Sequence, residues 1–130
     1  MGKANNDSLT PLELEIMNTL WDLGEGNVQS VQTNLKRQSA YTTVQTILNI
    51  LERKGKVKRV LKNRAYIYSP AISRKKVVSQ IFGDMIDRVF GGSAESLVMS
   101  LVETKHLTPE KLEQLNRILK ESPEGRDDDN

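Results

Sequence analysis

The 130-residue sequence contains no cysteine and a single histidine. Without thiols, disulfides, thiolate metal sites and a cysteine nucleophile are excluded, and the composition fits a reducing cytosol. The lone His106 stands just before the Thr108–Pro109 start of a predicted helix, where its expected role is contact with the negative end of the helix before it. Phosphate-cradling glycines, metal-ligand spacing and a nucleophile elbow are all missing. Acidic residues are numerous, 17 in all, but Glu13 and Glu15 read as first-turn helix residues and Asp127 to Asp129 as part of a disordered tail. An enzyme is therefore not expected, nor is a cofactor or metal. No apolar run approaches the roughly 18 residues that suggest a membrane-spanning helix, and the start lacks a signal-peptide pattern. A cytoplasmic protein of one domain, or one small domain with an attached arm, is expected, without membrane insertion.

What is present is charge, unevenly placed. Residues 1–76 hold 13 Lys and Arg against 6 Asp and Glu, a net of +7, while residues 77–130 hold 6 against 11, a net of −5; together they give the overall +2. The near-neutral total hides a basic half and an acidic half. Residues 1–8 are polar and aperiodic, and 122–130 ("SPEGRDDDN") are acidic and turn-rich, so both ends are expected to be disordered.

Residues 9–71 carry the pattern of a mainly α head with a small β-hairpin. Thr10, Pro11 and Glu13 form a helix-start signature, Leu12, Ile16, Leu20 and Leu23 follow at helical spacing, and "GEG" stops the run. Leu9 suits a staple, and Trp21 beside the stripe suits a core or half-buried place. Asn27 caps a second predicted helix to about Arg37, with Val28, Val31 and Leu35 apolar. A third runs from Ser39 or Ala40 to about Lys54, where Gly55 ends it. The period then changes towards two: "KVKRVL" and "AYIYS", separated by "KNR", predict a hairpin, with Asn63 suited to a left-handed turn and Pro70 ending the second strand. Three short helices and a hairpin make the winged helix-turn-helix layout.

Residues 72–121 return to helical spacing. One helix to about Phe90 presents Val77, Val78, Ile81, Phe82, Met85, Ile86, Val89 and Phe90; "GGS" breaks it; a second carries Leu97, Val98, Leu101 and Val102. A last helix, capped by Thr108, carries Leu112, Leu115, Ile118 and Leu119. Faces this broad in about 50 residues cannot all be buried against one another, and a second copy of the chain is the natural partner. Val78, Ile81, Phe82, Met85, Val89, Leu97, Leu101, Leu112, Leu115 and Leu119 are the expected dimerisation residues.

The third helix has an unusual polar side. Val44, Ile47, Leu48 and Leu51 share one face, and the opposite face falls on Thr42, Thr46, Asn49 and Arg53, flanked by Thr43, Gln45 and Ile50. Solubility alone would favour Lys or Glu there. Threonine brings a hydroxyl and a methyl that suits thymine, Asn or Gln can pair with adenine, and Arg with guanine, so the set suits a base-reading surface. From Lys36 to Lys76 there are 12 basic residues and one acidic residue, Glu52. Such one-sidedness, covering this helix and the hairpin, is an electrostatic footprint for phosphates. Tyr41 could reach a phosphate through its hydroxyl, Lys62 lies in the basic strand, and Arg64 at the hairpin tip suits a backbone or minor-groove contact. Tyr66 and Tyr68 alternate onto one strand face, where packing and binding are both open.

"LTPLELEIMNTLWDLG", "YTTVQTILNILERKG" and "RAYIYSP" together resemble, in order and spacing, the signature stretches of the penicillinase-repressor (BlaI/MecI) family of bacterial winged-helix regulators. That family also includes copper-responsive repressors. The resemblance spans about Leu9 to Glu121. It implies a homodimeric repressor that binds a promoter dyad, often with TACA/TGTA-type half-sites in double-stranded DNA. It places Tyr41, Thr42, Thr43, Gln45 and Thr46 on the recognition helix and Arg64 with Tyr66 on the wing. Copper-responsive members carry a cysteine-rich tail, so sensing by that route is excluded here. In β-lactam-responsive members a membrane sensor protease pathway leads to cleavage at an Asn-Phe bond in the dimerisation region; here Ser100-Leu101 stands at that position. A winged-helix protein-interaction module and a non-specific DNA-binding protein are the alternative readings, and activation in place of repression is a further one.

Overall fold

The computed structural model describes residues 8–121; the ends expected to be disordered, Ser8 apart, lie outside the described residues. Helix α1 spans Pro11–Leu23. Its start is the expected capping box: the Glu13 amide donates to Thr10 Oγ1 (3.2 Å), and Glu13 Oε1 accepts from the Thr10 amide (2.9 Å). Helix α2 (Val28–Asn34) is capped by the Asn27 side chain, which accepts from the Ser30 amide at 2.8 Å. It stops short of Arg37 because Leu35 turns extended (φ −72°, ψ 141°) and packs against the core instead.

Helix α3 spans Tyr41–Arg53 and ends through Gly55, whose φ of +78° suits a residue without a side chain. The Lys56 amide then donates across the turn to the Leu51 carbonyl at 2.9 Å and sends the chain into the hairpin. Strands β1 (Val57–Lys62) and β2 (Ala65–Pro70) pair antiparallel from Val57 opposite Pro70 to Lys62 opposite Ala65. The connection is tighter than "KNR": only Asn63 and Arg64 form it, both left-handed (φ +51° and +68°), as a two-residue hairpin turn of this twist requires. Gly26, in the loop after α1, adds a bridge to β2, with its amide 2.9 Å from the Tyr68 carbonyl and its carbonyl 2.8 Å from the Tyr68 amide.

The core of this head comprises Ile16, Met17 and Leu20 from α1, Val28 and Val31 from α2, Val44, Leu48 and Leu51 from α3, and Val57 and Tyr68 from the hairpin. Each fully buried aliphatic side chain contributes about 1.5–3 kcal/mol relative to exposure. Met17 takes the place expected of Leu23, which is exposed at the helix end. Trp21 is half-buried and donates its indole N–H to the Ile72 carbonyl (3.0 Å), fastening the chain beyond the hairpin to α1.

Helix α4 (Arg74–Val89) starts under a Ser73 side-chain cap, α5 spans Ala94–Glu103 under Ser93, and α6 spans Pro109–Glu121 under Thr108. By compactness the chain forms two units, dividing within α4 between Ile81 and Phe82. Among the described residues of the second unit none is buried: Leu97, Val98, Leu101 and Val102 are half-buried, and every residue of α6 is exposed. No described helix is long and apolar enough to cross a membrane.

Candidate nucleic-acid interface

The face of α3 away from the core exposes Tyr41, Thr42, Thr43, Gln45, Thr46 and Arg53, while Val44, Leu48 and Leu51 anchor the opposite face. The helix therefore stands as a rigid ridge with short polar side chains along its crest. Two contacts position it. At its start, Gln32 Nε2 donates to the Ser39 carbonyl (3.0 Å), fixing the turn from α2. At its end, Lys54 Nζ reaches both carboxylate oxygens of Glu13 at 3.1 Å. The capping position before the helix is Ala40, which supplies no side-chain cap, so the first N–H groups have no side-chain acceptor there.

Asn49 has a different environment from its neighbours on that face. It is half-buried, and its Oδ1 accepts from Arg59 Nη1 of β1 and from the Tyr68 hydroxyl of β2, both at 3.0 Å. The Arg59 guanidinium lies 4.2 Å over the Tyr66 ring. Hydrogen bonding with Tyr68 raises the Arg59 pKa above its ordinary value, outweighing the opposing effect of desolvation, with lesser support from the fields of Tyr66 and Glu52. The two tyrosines thus part company: Tyr68 is buried in the core, and Tyr66 is exposed on the wing under Arg59. Arg64 is exposed at the turn, next to exposed Lys62 at the end of β1.

The basic run separates into two sets. Arg37 pairs with Glu15 (2.9 Å), Lys54 with Glu13 and Arg74 with Asp22 (3.2 Å), and the Arg74 guanidinium also lies 5.2 Å over Trp21. Lys56 is buried. Of these four, Arg37 and Arg74 stay exposed despite their pairing. Lys36, Arg53, Lys58, Lys62, Arg64, Lys75 and Lys76 are exposed, as is Arg59. Arg59 was not singled out in the sequence, although its strand register places it opposite Tyr68 and two residues from buried Val57, on the face turned to α3. Among the described residues no three His, Asp or Glu side chains are grouped to hold a metal ion.

The family profile described as Penicillinase repressor matches residues 9–121. The chain belongs to this family. Its members are transcriptional repressors, not enzymes. It is similar to the penicillinase repressor of Bacillus licheniformis, 27% identical over 115 residues that cover 87% of this chain and 90% of that one. It is also similar to the transcriptional regulator BlaI of Mycobacterium tuberculosis, 31% identical over 121 residues that cover 90% of this chain and 86% of that one. Among solved structures, the monomeric form of Bacillus licheniformis BlaI in complex with the blaP half-operator is 28% identical, over 52% of this chain and 85% of that one, with a TM-score of 0.45. As a penicillinase-repressor family protein with a winged-helix head, this chain is a DNA-binding regulator of transcription.

Proposed function

We propose that the protein is a sequence-specific, homodimeric repressor that recognises a TACA/TGTA-like dyad in promoter DNA in the cytoplasm. The observation that carries this reading is the crest of α3, where Thr42, Thr43, Gln45 and Thr46 stand exposed directly over the buried Val44, Leu48 and Leu51. A rigid helix with short hydrogen-bonding side chains can enter a major groove and meet base edges. Tyr41, Arg53, Lys62, Arg64 and Tyr66 flank it as backbone and wing contacts.

Two heads then occupy successive half-sites, and the bound dimer obstructs polymerase. The C-terminal helices hold the copies together through Val78, Ile81, Phe82, Met85, Val89, Leu97, Leu101, Leu112, Leu115 and Leu119, most of which are exposed in the single chain. Residues 9–71 serve as the DNA-binding domain and 72–121 as the dimerisation domain. Separating the copies releases the operator, because each head alone forfeits avidity. Proteolysis at Ser100-Leu101, downstream of a membrane sensor protease, is one way to do so. That bond lies inside α5 with both residues half-buried, so a protease would first have to unwind the helix.

The test is fluorescence-anisotropy titration of a TACA/TGTA dyad and a scrambled duplex across a salt series, with mass measured by light scattering. Preference for the dyad by a dimer is the expected result. Equal affinities that collapse with salt would replace it with a non-specific DNA-binding protein. Absence of binding at low salt would favour a protein-interaction module.

A further inference from the structure

Asn49 lies on the base-facing side of α3 by helical spacing, yet its side chain is already in use. Pairing with adenine needs the Asn oxygen as acceptor for the exocyclic amine and the Asn nitrogen as donor to the ring. An amide oxygen has two lone-pair positions. Arg59 Nη1 and the Tyr68 hydroxyl fill both, each at 3.0 Å. The orientation of the amide follows from the chemistry of its partner, because a guanidinium can only donate and must face the oxygen. Tyr68 is buried in the core, so this bond joins α3 to an immobile part of the hairpin. Arg59 is exposed and stacked on Tyr66 while it donates to Asn49 of α3.

We infer that Asn49 is a positioning residue that does not read a base: its oxygen locks the wing to the recognition helix and aims Arg59 at a backbone phosphate beside the groove. This rests on the DNA-binding reading of the same surface. Arg59 becomes the phosphate contact of the wing face, and base reading contracts to the first half of α3, at Thr42, Thr43, Gln45 and Thr46. An arginine held by an amide on one side and an aromatic ring on the other loses less freedom on binding than a solvated one.

The test uses full-length Asn49→Ala, Arg59→Gln and the double variant, with a duplex that the wild-type protein enriches from a randomised library and its single-base-pair variants. Each single variant should reduce the slope of log affinity against log salt by about one, as loss of one phosphate contact does. The double variant should lose no more than either, and the order of preference among the base-pair variants should stay as in the wild type. A merely structural defect would lower the active fraction and leave the slope alone. An unchanged slope with preference relaxed at one base pair, or additive slope losses in the double variant, would overturn the inference. Should Asn49→Ala not fold, Asn49→Asp keeps both acceptor positions on a side chain of the same shape. Retained base preference then supports positioning, and preference lost at a single base pair refutes it. Failure of the wild type to prefer any duplex would instead sink the DNA-recognition reading itself.

Discussion

Lys54 Nζ lies 3.1 Å from both carboxylate oxygens of Glu13, joining the end of α3 to the first turn of α1. The Glu13 side chain is only 5% exposed and that of Lys54 26%. The same carboxylate completes the cap of α1 by accepting from the Thr10 amide, and Lys54 also donates to the Ser8 carbonyl at 3.3 Å. One pair therefore starts α1 and orients the end of α3. Removing Lys54 alone strands a buried charge, whereas removing both charges does not. Lys54→Met should lower unfolding stability by about 1–3 kcal/mol, and Glu13→Gln added to it should recover part of that loss. Urea denaturation of the two variants tests the order.

The core face of α3 holds the crest in place. Leu48 is fully buried beneath it, so Leu48→Ala should cost about 2–5 kcal/mol in transfer and cavity terms. Thermal unfolding would show the loss directly, and a fall in duplex preference below the transition would show that the crest depends on the packing under it.

The turn of the wing sets stability against contact. Arg64 adopts φ +68°, a conformation that costs a residue with a side chain roughly 1–2 kcal/mol. Arg64→Gly should therefore hold or raise the melting temperature while weakening DNA binding and flattening its salt dependence. Calorimetry beside anisotropy separates the two effects; weakened stability together with unchanged binding would refute the assignment of Arg64 to the DNA contact.

Base reading by the crest predicts a different signature from phosphate contact. Gln45→Ala and Thr46→Ala should each reduce discrimination between the dyad and its single-base variants, by about 1–3 kcal/mol where a bidentate pair is lost. The salt slope should stay close to that of the wild type. Uniform weakening on every duplex would assign these side chains to the backbone.

Helix α6 tests the oligomer. Leu115 and Leu119 are 41% and 53% exposed in the single chain, which leaves an apolar stripe to be covered. Leu115→Asp should convert a dimer to a monomer by light scattering, and binding to the full dyad should fall by about 100-fold or more while half-site binding survives. A monomeric wild type would refute the dimer.

Much of the head was legible because its signals are local. Thr10, Pro11 and Glu13 announce α1 through groups three residues apart, and alternation in 57–62 and 65–70 announces the hairpin. Less local features were not legible. Leu23 follows the helical stripe but falls at the fraying end, where Met17 has the better view of α2 and α3. Charge in a sequence does not reveal that Arg37, Lys54 and Arg74 face carboxylates 22, 41 and 52 residues away. Periodicity put Asn49 with Thr42 and Thr46, and could not register that a strand ten residues on would claim its oxygen.

The sequence by itself determined the order of elements, the side of α3 that is apolar, the positive character of the head and the family, because spacing, capping and composition act over a few residues or add along the chain. Only the tertiary structure decided which cations face carboxylates, which tyrosine is core and which is wing, and that Arg59 donates to Asn49. Those outcomes depend on distances between segments far apart in the chain, and such distances exist only once the helices have packed and the hairpin has folded back across the end of α3.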